Sequence, residues 1–200
     1  MDVITISRQL GSLGFQVGKE VAQRLNYQLV WRDLINQAAI RAGAPEVALA
    51  MFDEFNLLGI APSPRQFADY IRVVGQVIKE LADAGKIVII GRAGQVLLAD
   101  DPRVLHVRVV APYQDRIERV AVSRGISVES AQAQVQASDR ARKNYLRRFY
   151  QVNWEDPDLY DLVLNTGRIS VATAAESICL TARVQESAIE TSQSDQEEMH

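Results

Sequence analysis

The chain has 200 residues, of which 48% are hydrophobic and 24% charged, a balance typical of one globular domain with a sizeable core. No apolar run approaches the roughly 20 residues that cross a bilayer, and the N-terminus MDVITISRQ lacks the pattern of a secretory signal. We therefore expect a cytoplasmic protein without a membrane segment. A single cysteine, Cys179, excludes an internal disulfide, and two histidines, His106 and His200, argue against a zinc site.

The net charge of −3 conceals an uneven distribution. Residues 186–200 contain five acidic residues and neither lysine nor arginine, so the rest of the chain is slightly basic. We expect this last segment to be a disordered acidic tail. Of the 22 basic residues, 18 are arginine, the side chain suited to bidentate contacts with phosphate. A bias in amino-acid usage explains the same count. Only the positions of the arginines in the fold can therefore show whether they bind phosphate.

The first predicted elements are a strand, a glycine loop and a helix. The β-branched run VITIS at 3–7 is typical of a buried strand. The loop RQLGSLG follows at 8–14, and Val17, Val21 and Leu25 then recur at helical spacing, which predicts a helix over 15–25.

Further along the chain, strands and helices alternate. Apolar runs predict strands at 27–30, 86–90, 104–110 and 160–164. Periodicity and capping residues predict helices at 33–41, 45–58, 64–85, 95–99, 112–124, 127–150 and 170–184, with N-caps at Ser63, Ser127 and Ser170. Because the strand segments are apolar throughout, we predict an α/β fold with a parallel core sheet flanked by helices.

Three segments are predicted to reach the same edge of this sheet. In a parallel sheet, ligands bind beyond the carboxyl ends of the strands. Segments 7–14, 91–94 and 165–168 follow or end predicted strands, and each contains glycine and arginine. We therefore predict that arginines from distant parts of the chain meet around a bound oxyanion at this edge.

The glycine loop departs from a P-loop, which reads Gly-x-x-x-x-Gly-Lys-Ser/Thr. Counted from the end of the strand, Arg8 stands at the first glycine, Gly14 at the lysine and Phe15 at the magnesium-binding hydroxyl. Gly11 and Gly14 still allow the backbone to curl, and the start of the helix still favours an anion. Arg8 is the candidate to supply the lost positive charge.

Other interpretations of the loop stay open. In one interpretation, Gly14, Gly18 and Lys19 resemble a P-loop that is one residue short. Helical spacing, however, puts Gly18 inside a helix. Gly11, Gly14 and Gly18, followed by Asp33, are similar to a dinucleotide-binding pattern with a different glycine spacing. Finally, the glycines can simply turn a strand into a helix.

Four stretches together resemble the cytidylate kinase-like family. They are ISRQLGSLG at 6–14, IGRAG at 90–94 with VLHVRVVAPYQDRIERV after it, SDRARKNYLRRFY at 138–150 and WEDPDLYDLVLNTGRIS at 154–170. The resemblance runs from about residue 4 to 184. It implies a P-loop nucleoside monophosphate kinase fold in a single domain, 1–185, with a helical acceptor-binding region at about 31–85 and a helical lid at about 126–156.

The resemblance also implies ATP as phosphoryl donor, Mg²⁺ beside it, and a small-molecule nucleotide as partner. Arg92 matches the arginine that holds the acceptor's phosphate, and Asp139 and Arg142 match the lid's Asp-x-x-Arg. Arg32 and Asp33 fall where the acceptor region begins. The predicted catalytic residues are Arg8, Asp139 and Arg142, and the predicted nucleotide- or phosphate-binding residues are Gly11, Ser12, Gly14, Arg32, Asp33 and Arg92.

The chain departs from the family at three positions. Ala93 stands where cytidylate kinases place an aspartate, so these residues do not support specificity for CMP. Phe15 occupies a position that is often basic in the family, and no acidic residue follows the strand at 86–90 to hold Mg²⁺. We therefore assign no residue to a metal.

Two functional hypotheses follow. The first is phosphoryl transfer from ATP to a nucleoside monophosphate or another small acceptor. The alternative is a nucleotide- or phosphate-binding module without transfer, which the lost lysine and hydroxyl favour. A structural protein with a retired site is a third, weaker hypothesis. A nucleic-acid partner is weaker still, because the basic stretch at 140–148 holds too few charges for more than a modest affinity. The sequence leaves a homodimer open.

Overall fold

The computed structural model describes residues 1–31, 35–37, 40 and 64–197. Arg32, Asp33 and the predicted helix at 45–58 lie outside the described residues, so their assignments stay predictions. Among the described helices, none combines the length and apolar content that a membrane-spanning segment needs.

Within the described residues, five parallel strands form one sheet in the order β2-β3-β1-β4-β5. The strands are β1 (Val3–Arg8), β2 (Gln28–Val30), β3 (Ile87–Ile90), β4 (Val104–Val110) and β5 (Leu162–Asn165). In the central strand, Ile6 pairs with Ile90 on one side and Val107 on the other. Both faces of these central strands are covered, which is why their sequences are apolar runs rather than alternating patterns. The predicted α/β fold with a parallel core is confirmed.

The described helices cover the sheet on both faces. They are α1 (Gly14–Leu25), α2 (Pro64–Asp83), α3 (Gly94–Leu97), α4 (Tyr113–Arg124), α5 (Val128–Tyr150) and α6 (Val171–Glu197). Two predicted N-caps are confirmed. Ser127 Oγ accepts from the Ser130 N–H at 3.2 Å, and Ser170 Oγ accepts from the Thr173 N–H at 3.0 Å. Each bond satisfies a backbone donor that has no partner within its own helix.

Two apolar clusters lie on opposite faces of the sheet. On one face, Ile4, Ile6 and Val107 pack against α1 and α6. On the other face, Ile87 and Ile89 pack against α2. Because burying one large aliphatic side chain contributes about 1.5–3 kcal/mol, these two layers hold the strand ends, and the loops that follow them, in fixed positions.

Two segments differ from their predictions. The sequence predicted a strand from residue 160, but a 3-10 helix at Pro157–Leu159 delays β5 until Leu162. Asp156 caps that short helix by accepting from the Asp158 N–H at 3.1 Å. The sequence also predicted a disordered tail from residue 186, whereas α6 continues to Glu197. Residues 186–197 contain neither glycine nor proline, so nothing in them ends a helix that is anchored upstream.

Candidate functional site

Arg8, the last residue of β1, lies between two glycines. A Cβ added to Gly14 would come within 2.5 Å of the Arg8 Cβ, and a Cβ added to Gly91 within 2.5 Å of the Arg8 Nη1. The stem of Arg8 therefore crosses the start of α1, and its guanidinium lies against the loop that follows β3. Segments 7–14 and 91–94 thus meet at the carboxyl edge of the sheet, as the sequence predicted.

Three consecutive carbonyl oxygens of the glycine loop accept hydrogen bonds from side chains of other elements. The three bonds run from Arg116 Nη1 to Leu10 O (3.4 Å), from Arg119 Nη1 to Gly11 O (3.4 Å) and from Thr166 Oγ1 to Ser12 O (2.8 Å). In a trans peptide, the N–H points away from the C=O of the preceding residue. The carbonyls of Leu10 and Ser12 point towards Arg116 and Thr166. The N–H groups of the next residues, Gly11 and Leu13, therefore point the opposite way.

The loop leads directly into the N-terminus of α1. Leu13 has a left-handed φ of +59°, and Gly14 and Phe15 are the first two helical residues. They occupy the places at which a P-loop has its lysine and its hydroxyl. Among the described residues, no side chain caps this helix start, and its first turn holds no acidic residue. The positive end of the helix dipole therefore faces the loop. The Phe15 ring is 41% exposed and meets the Trp31 ring edge-on at 5.8 Å.

Two alternative interpretations of the glycines are wrong. Gly18 and Lys19 lie inside α1, and a Cβ at Gly18 would meet Ile90 Cδ1 at 2.8 Å and Ile6 Cδ1 at 3.0 Å. Gly18 therefore allows the helix to pack closely on the sheet and is not part of a phosphate loop. The observed strand order also differs from the 3-2-1-4-5-6 order of dinucleotide-binding sheets.

A cavity of about 270 Å³ opens at the glycine loop. Four arginines line it: Arg8 from β1, Arg119 and Arg124 from α4, and Arg142 from α5. None of the described residues that line it is acidic. Guanidinium groups keep their charge at any physiological pH. Arg119 is paired with the Asp115 carboxylate at 3.9 Å, and the described lining as a whole is basic, which favours an anion.

Arg142 is held in place by its own helix and by a buried tryptophan. Its Nη1 donates to Ser138 Oγ, and its Cζ lies 5.9 Å from the centroid of the Trp154 ring. Trp154 is 2% exposed, and its Nε1 donates to Ser7 Oγ at 2.9 Å. Trp154 is therefore a packing residue, and it ties the segment after α5 to β1. The remaining arginines of this helix are exposed: Arg140, Arg147 and Arg148.

Asp139 is not among the residues that line the cavity. Its carboxylate accepts two hydrogen bonds from Arg116, at 3.1 and 2.9 Å, and Arg116 is only 5% exposed. The pair joins α5 to α4, the helix whose arginines hold the glycine loop. The catalytic role of Asp139 stays a prediction.

Arg92 lies beside the cavity rather than in its lining. Its Nη2 donates to Asn36 Oδ1 at 2.8 Å, within the region predicted to bind the acceptor. Gly91, Arg92 and Ala93 have φ values of 83°, 53° and 57°. Left-handed backbone is costly for arginine and alanine, and such strain is common where proteins bind ligands. Among the predicted site arginines in the described residues, Arg8 and Arg142 share the cavity, and Arg92 lies on the adjoining loop.

Sequence reasoning missed Arg116, Arg119 and Thr166, which hold the loop. The two arginines are three residues apart in the helix after β4, a spacing that places them on one helical face. That spacing was a usable signal, but it does not reveal which loop the face contacts. Thr166 lies within the predicted edge segment 165–168, where the prediction rests on glycine and arginine alone.

Two tyrosines near the site stay protonated. Burial raises the pKa of Tyr145 well above its ordinary value, and the neighbouring Tyr150 adds to the effect. Burial also raises the pKa of Tyr160, whose hydroxyl donates to Trp154 O at 2.9 Å. Tyr160 thus acts as a hydrogen-bond donor in the packing around Trp154.

The residues at the cavity do not fit a protein-held Mg²⁺. This ion takes oxygen ligands, typically carboxylates together with the hydroxyl of a P-loop. Phe15 stands in the place of that hydroxyl, and the described residues contain no group of three His, Cys, Asp or Glu side chains that could hold a metal. They do fit the phosphates of a nucleotide, because the arginines and the helix start supply donors and positive charge.

Comparison with known proteins agrees with this geometry. A sequence model of the cytidylate kinase-like family matches residues 3–168. A cytidylate kinase from Pyrococcus horikoshii is 31% identical over 170 residues, which cover 84% of this chain and 81% of that protein. A uronate isomerase from Corynebacterium glutamicum is 34% identical over 94 residues, but the match spans 47% of this chain and only 18% of that much longer protein.

Solved structures show the same fold. An uncharacterized protein from Eubacterium ventriosum superposes with a TM-score of 0.73 at 23% identity, covering 92% of this chain and 99% of that one. A gluconokinase from Sinorhizobium meliloti superposes with a TM-score of 0.55 at 16% identity, covering 96% and 97%. The core of this chain is therefore built like that of P-loop kinases.

Proposed function

The chain belongs to the cytidylate kinase-like family, and from this premise we propose that it transfers a phosphoryl group from ATP to a nucleoside monophosphate or a similar small acceptor. The observation that carries the proposal is the cavity in which Arg8 and Arg142 meet at the glycine loop. Enzymatic phosphoryl transfer depends mainly on positioning and on neutralising charge on the transferred group. Both tasks are within reach of the residues gathered there.

The two arginines have different supports, which suits them to different tasks. Arg8 is packed against Gly14 and Gly91, so its guanidinium has a fixed place between the glycine loop and the loop after β3. Arg142 comes from the long helix α5 and lies against Trp154. Arg8 thus takes over the charge that a P-loop lysine supplies, and Arg142 contacts the phosphates from the lid side.

The same contact supports a site for the acceptor next to the donor. Because the Arg8 guanidinium lies against Gly91, the residue before Arg92, a group bound by Arg92 lies next to the cavity. Arg92 and Asn36 then hold the acceptor's own phosphate, as the matching arginine does in cytidylate kinases. Ala93 offers no polar side chain to the acceptor, so we propose the monophosphate class and not CMP in particular.

A transfer assay with matched variants tests the proposal. The full chain is incubated with ATP and each common nucleoside monophosphate, and formation of the diphosphate is measured. We expect Arg142→Gln to lower kcat/KM by about 10²–10³-fold, as removal of one charge-stabilising donor does elsewhere. Arg140→Gln alters an exposed arginine two residues earlier on the same helix, and it should stay within about twofold of wild type. Absence of transfer to every acceptor would reject the proposal.

One observation favours a second candidate, a nucleotide-binding module without transfer. Gly14 and Phe15 provide neither the lysine nor the hydroxyl of a P-loop, while the arginines that bind phosphate remain. Such a module shows a saturable rise in melting temperature with ATP and no product. Arg92→Ala should then leave the ATP-induced shift in place and abolish any shift caused by a nucleoside monophosphate.

A further inference from the structure

We propose that the cavity binds the phosphate chain of its nucleotide without a metal ion held by the protein, and that its arginines supply the charge a metal would otherwise provide. The inference rests on the proposed function, since it concerns the same nucleotide. Three features of the described residues support it: the site offers few oxygen atoms to a metal, the neighbouring strands do not end in an acidic residue, and arginines dominate the charge of the lining.

The backbone oxygens of the glycine loop are already used. The carbonyls of Leu10, Gly11 and Ser12 accept hydrogen bonds from Arg116, Arg119 and Thr166. A carbonyl that accepts from a guanidinium lies next to a positive charge, which repels a cation. The loop therefore offers its N–H groups, which suit phosphate and not a metal.

The side chains of the cavity offer few oxygens. Apart from backbone, the oxygen atoms of the described lining residues are the Gln16 amide and the Ser123 hydroxyl. The Ser123 hydroxyl donates to Val120 O at 3.3 Å, which holds it against its own helix. Mg²⁺ in proteins is held by one or two carboxylates together with substrate phosphates and water. The described lining residues include no carboxylate that could take this part.

Among the described residues, the ends of three strands lack the usual acid as well. β1 ends at Arg8, β3 runs into Gly91 and Arg92, and β4 runs into Ala111. Asp139, a carboxylate of α5, is engaged by both Nη atoms of Arg116. An acid whose partner is a buried guanidinium cannot turn to a metal without leaving that charge unpaired.

Phe15 occupies the remaining position. It is the second residue of α1, it lines the cavity, and its ring packs edge-on against Trp31. An apolar ring thus stands where a P-loop presents the metal-binding hydroxyl. A neighbouring hydrocarbon surface also disfavours a hydrated cation, since Mg²⁺ usually keeps several of its waters.

The charge balance favours the metal-free nucleotide. Four guanidinium groups line the cavity, and one of them, that of Arg119, also lies 3.9 Å from the Asp115 carboxylate. When Mg²⁺ neutralises part of the phosphate charge, the attraction between the phosphates and these guanidinium groups becomes weaker. A site that binds phosphate through arginines should therefore bind free ATP at least as well as its magnesium complex.

Isothermal titration calorimetry of the full chain tests this directly. ATP is titrated once with EDTA in the buffer and once with excess MgCl₂. We expect the Kd in EDTA to be equal to or lower than the Kd in Mg²⁺, within about twofold. A Kd in EDTA that is higher by more than this factor would overturn the inference while leaving the proposed function intact. No binding in either buffer would overturn both.

A pair of variants tests whether an arginine of the cavity binds the phosphates of ATP directly. Arg142→Gln removes a lining guanidinium, and Arg140→Gln removes an exposed one from the same helix. We expect Arg142→Gln to weaken ATP binding by a larger factor in EDTA than in Mg²⁺, and Arg140→Gln to change neither Kd by more than about twofold. A loss from Arg142→Gln that is larger in Mg²⁺ would show that the arginine recognises the metal complex, and the inference would be wrong.

Discussion

The guanidinium of Arg116 and the carboxylate of Asp139 form two parallel hydrogen bonds, at 3.1 and 2.9 Å, between α4 and α5. Arg116 is 5% exposed and also donates to Leu10 O of the glycine loop. A single buried arginine thus joins α5 to the glycine loop of the candidate site. The pair therefore fixes the position of α5 relative to this loop.

Removing one partner of this pair should be costly. We expect Asp139→Asn to lower the free energy of unfolding by about 3 kcal/mol, because it leaves the buried Arg116 charge uncompensated. Urea denaturation measures the change. Glu155→Gln is the control. Glu155 pairs at 2.8 Å with Lys143, which lies in α5 like Asp139, but both side chains of this pair are about half exposed. The control should cost at most about 1 kcal/mol. Equal costs for the two variants would contradict a structural role for the buried pair.

Gly11 should tolerate no side chain. Its φ is +80°, and an added Cβ would come within 2.5 Å of the Arg116 carbonyl oxygen. Gly125 is the matched control, because its φ is +63° and nothing lies within 4 Å of its added Cβ. Gly125→Ala should cost roughly 1–2 kcal/mol from the left-handed backbone alone. Gly11→Ala should cost about 1–3 kcal/mol more, and it should also weaken ATP binding. Thermal unfolding and calorimetry report the two effects, and similar melting temperatures for both variants would contradict the close contact.

The Thr166 hydroxyl should stabilise the glycine loop. It donates to Ser12 O at 2.8 Å in a buried position. Thr166→Val keeps the shape but leaves that carbonyl without its donor, which should cost about 1–3 kcal/mol. Thr166→Ser keeps the hydroxyl and should restore most of the stability and of the affinity for ATP. If valine and serine variants bind ATP equally well, the hydrogen bond does not position the loop.

Stability should depend on pH through His106. Its Nδ1 lies 2.7 Å from Thr5 Oγ1, and burial lowers the pKa of the ring below its ordinary value. The folded state therefore keeps the ring neutral, while the unfolded chain takes up a proton near pH 6.5. The contribution to stability is complete above about pH 6.5 and is lost as the pH falls through the window down to the lower folded pKa.

The variant His106→Gln isolates this effect. The urea midpoint of the wild type should fall between about pH 7 and pH 5 by more than that of His106→Gln, since the carboxylates contribute equally to both. Parallel curves for the two proteins would show that the buried imidazole is not the group responsible.

The sequence by itself determined the layered α/β fold and most element boundaries. Runs such as VITIS and KIVII can only be buried on both faces, so they specify the central parallel strands. The caps at Ser127 and Ser170 are local hydrogen bonds within a few residues, and local chemistry suffices to predict them. The glycine loop between β1 and α1 was likewise visible, as was its lack of a lysine and a hydroxyl.

Tertiary structure alone decided which partners the long side chains take. The sequence identified Asp139 and Arg142 from one motif, yet one pairs with Arg116 and the other lines the cavity. Arg119 and Thr166 reach the loop from elements more than 100 residues away in the chain. A guanidinium can reach several groups, and only the packing of α4 and α5 on the sheet selects among them. Sequence periodicity gives the face of a helix, whereas the neighbour of that face depends on contacts between distant segments.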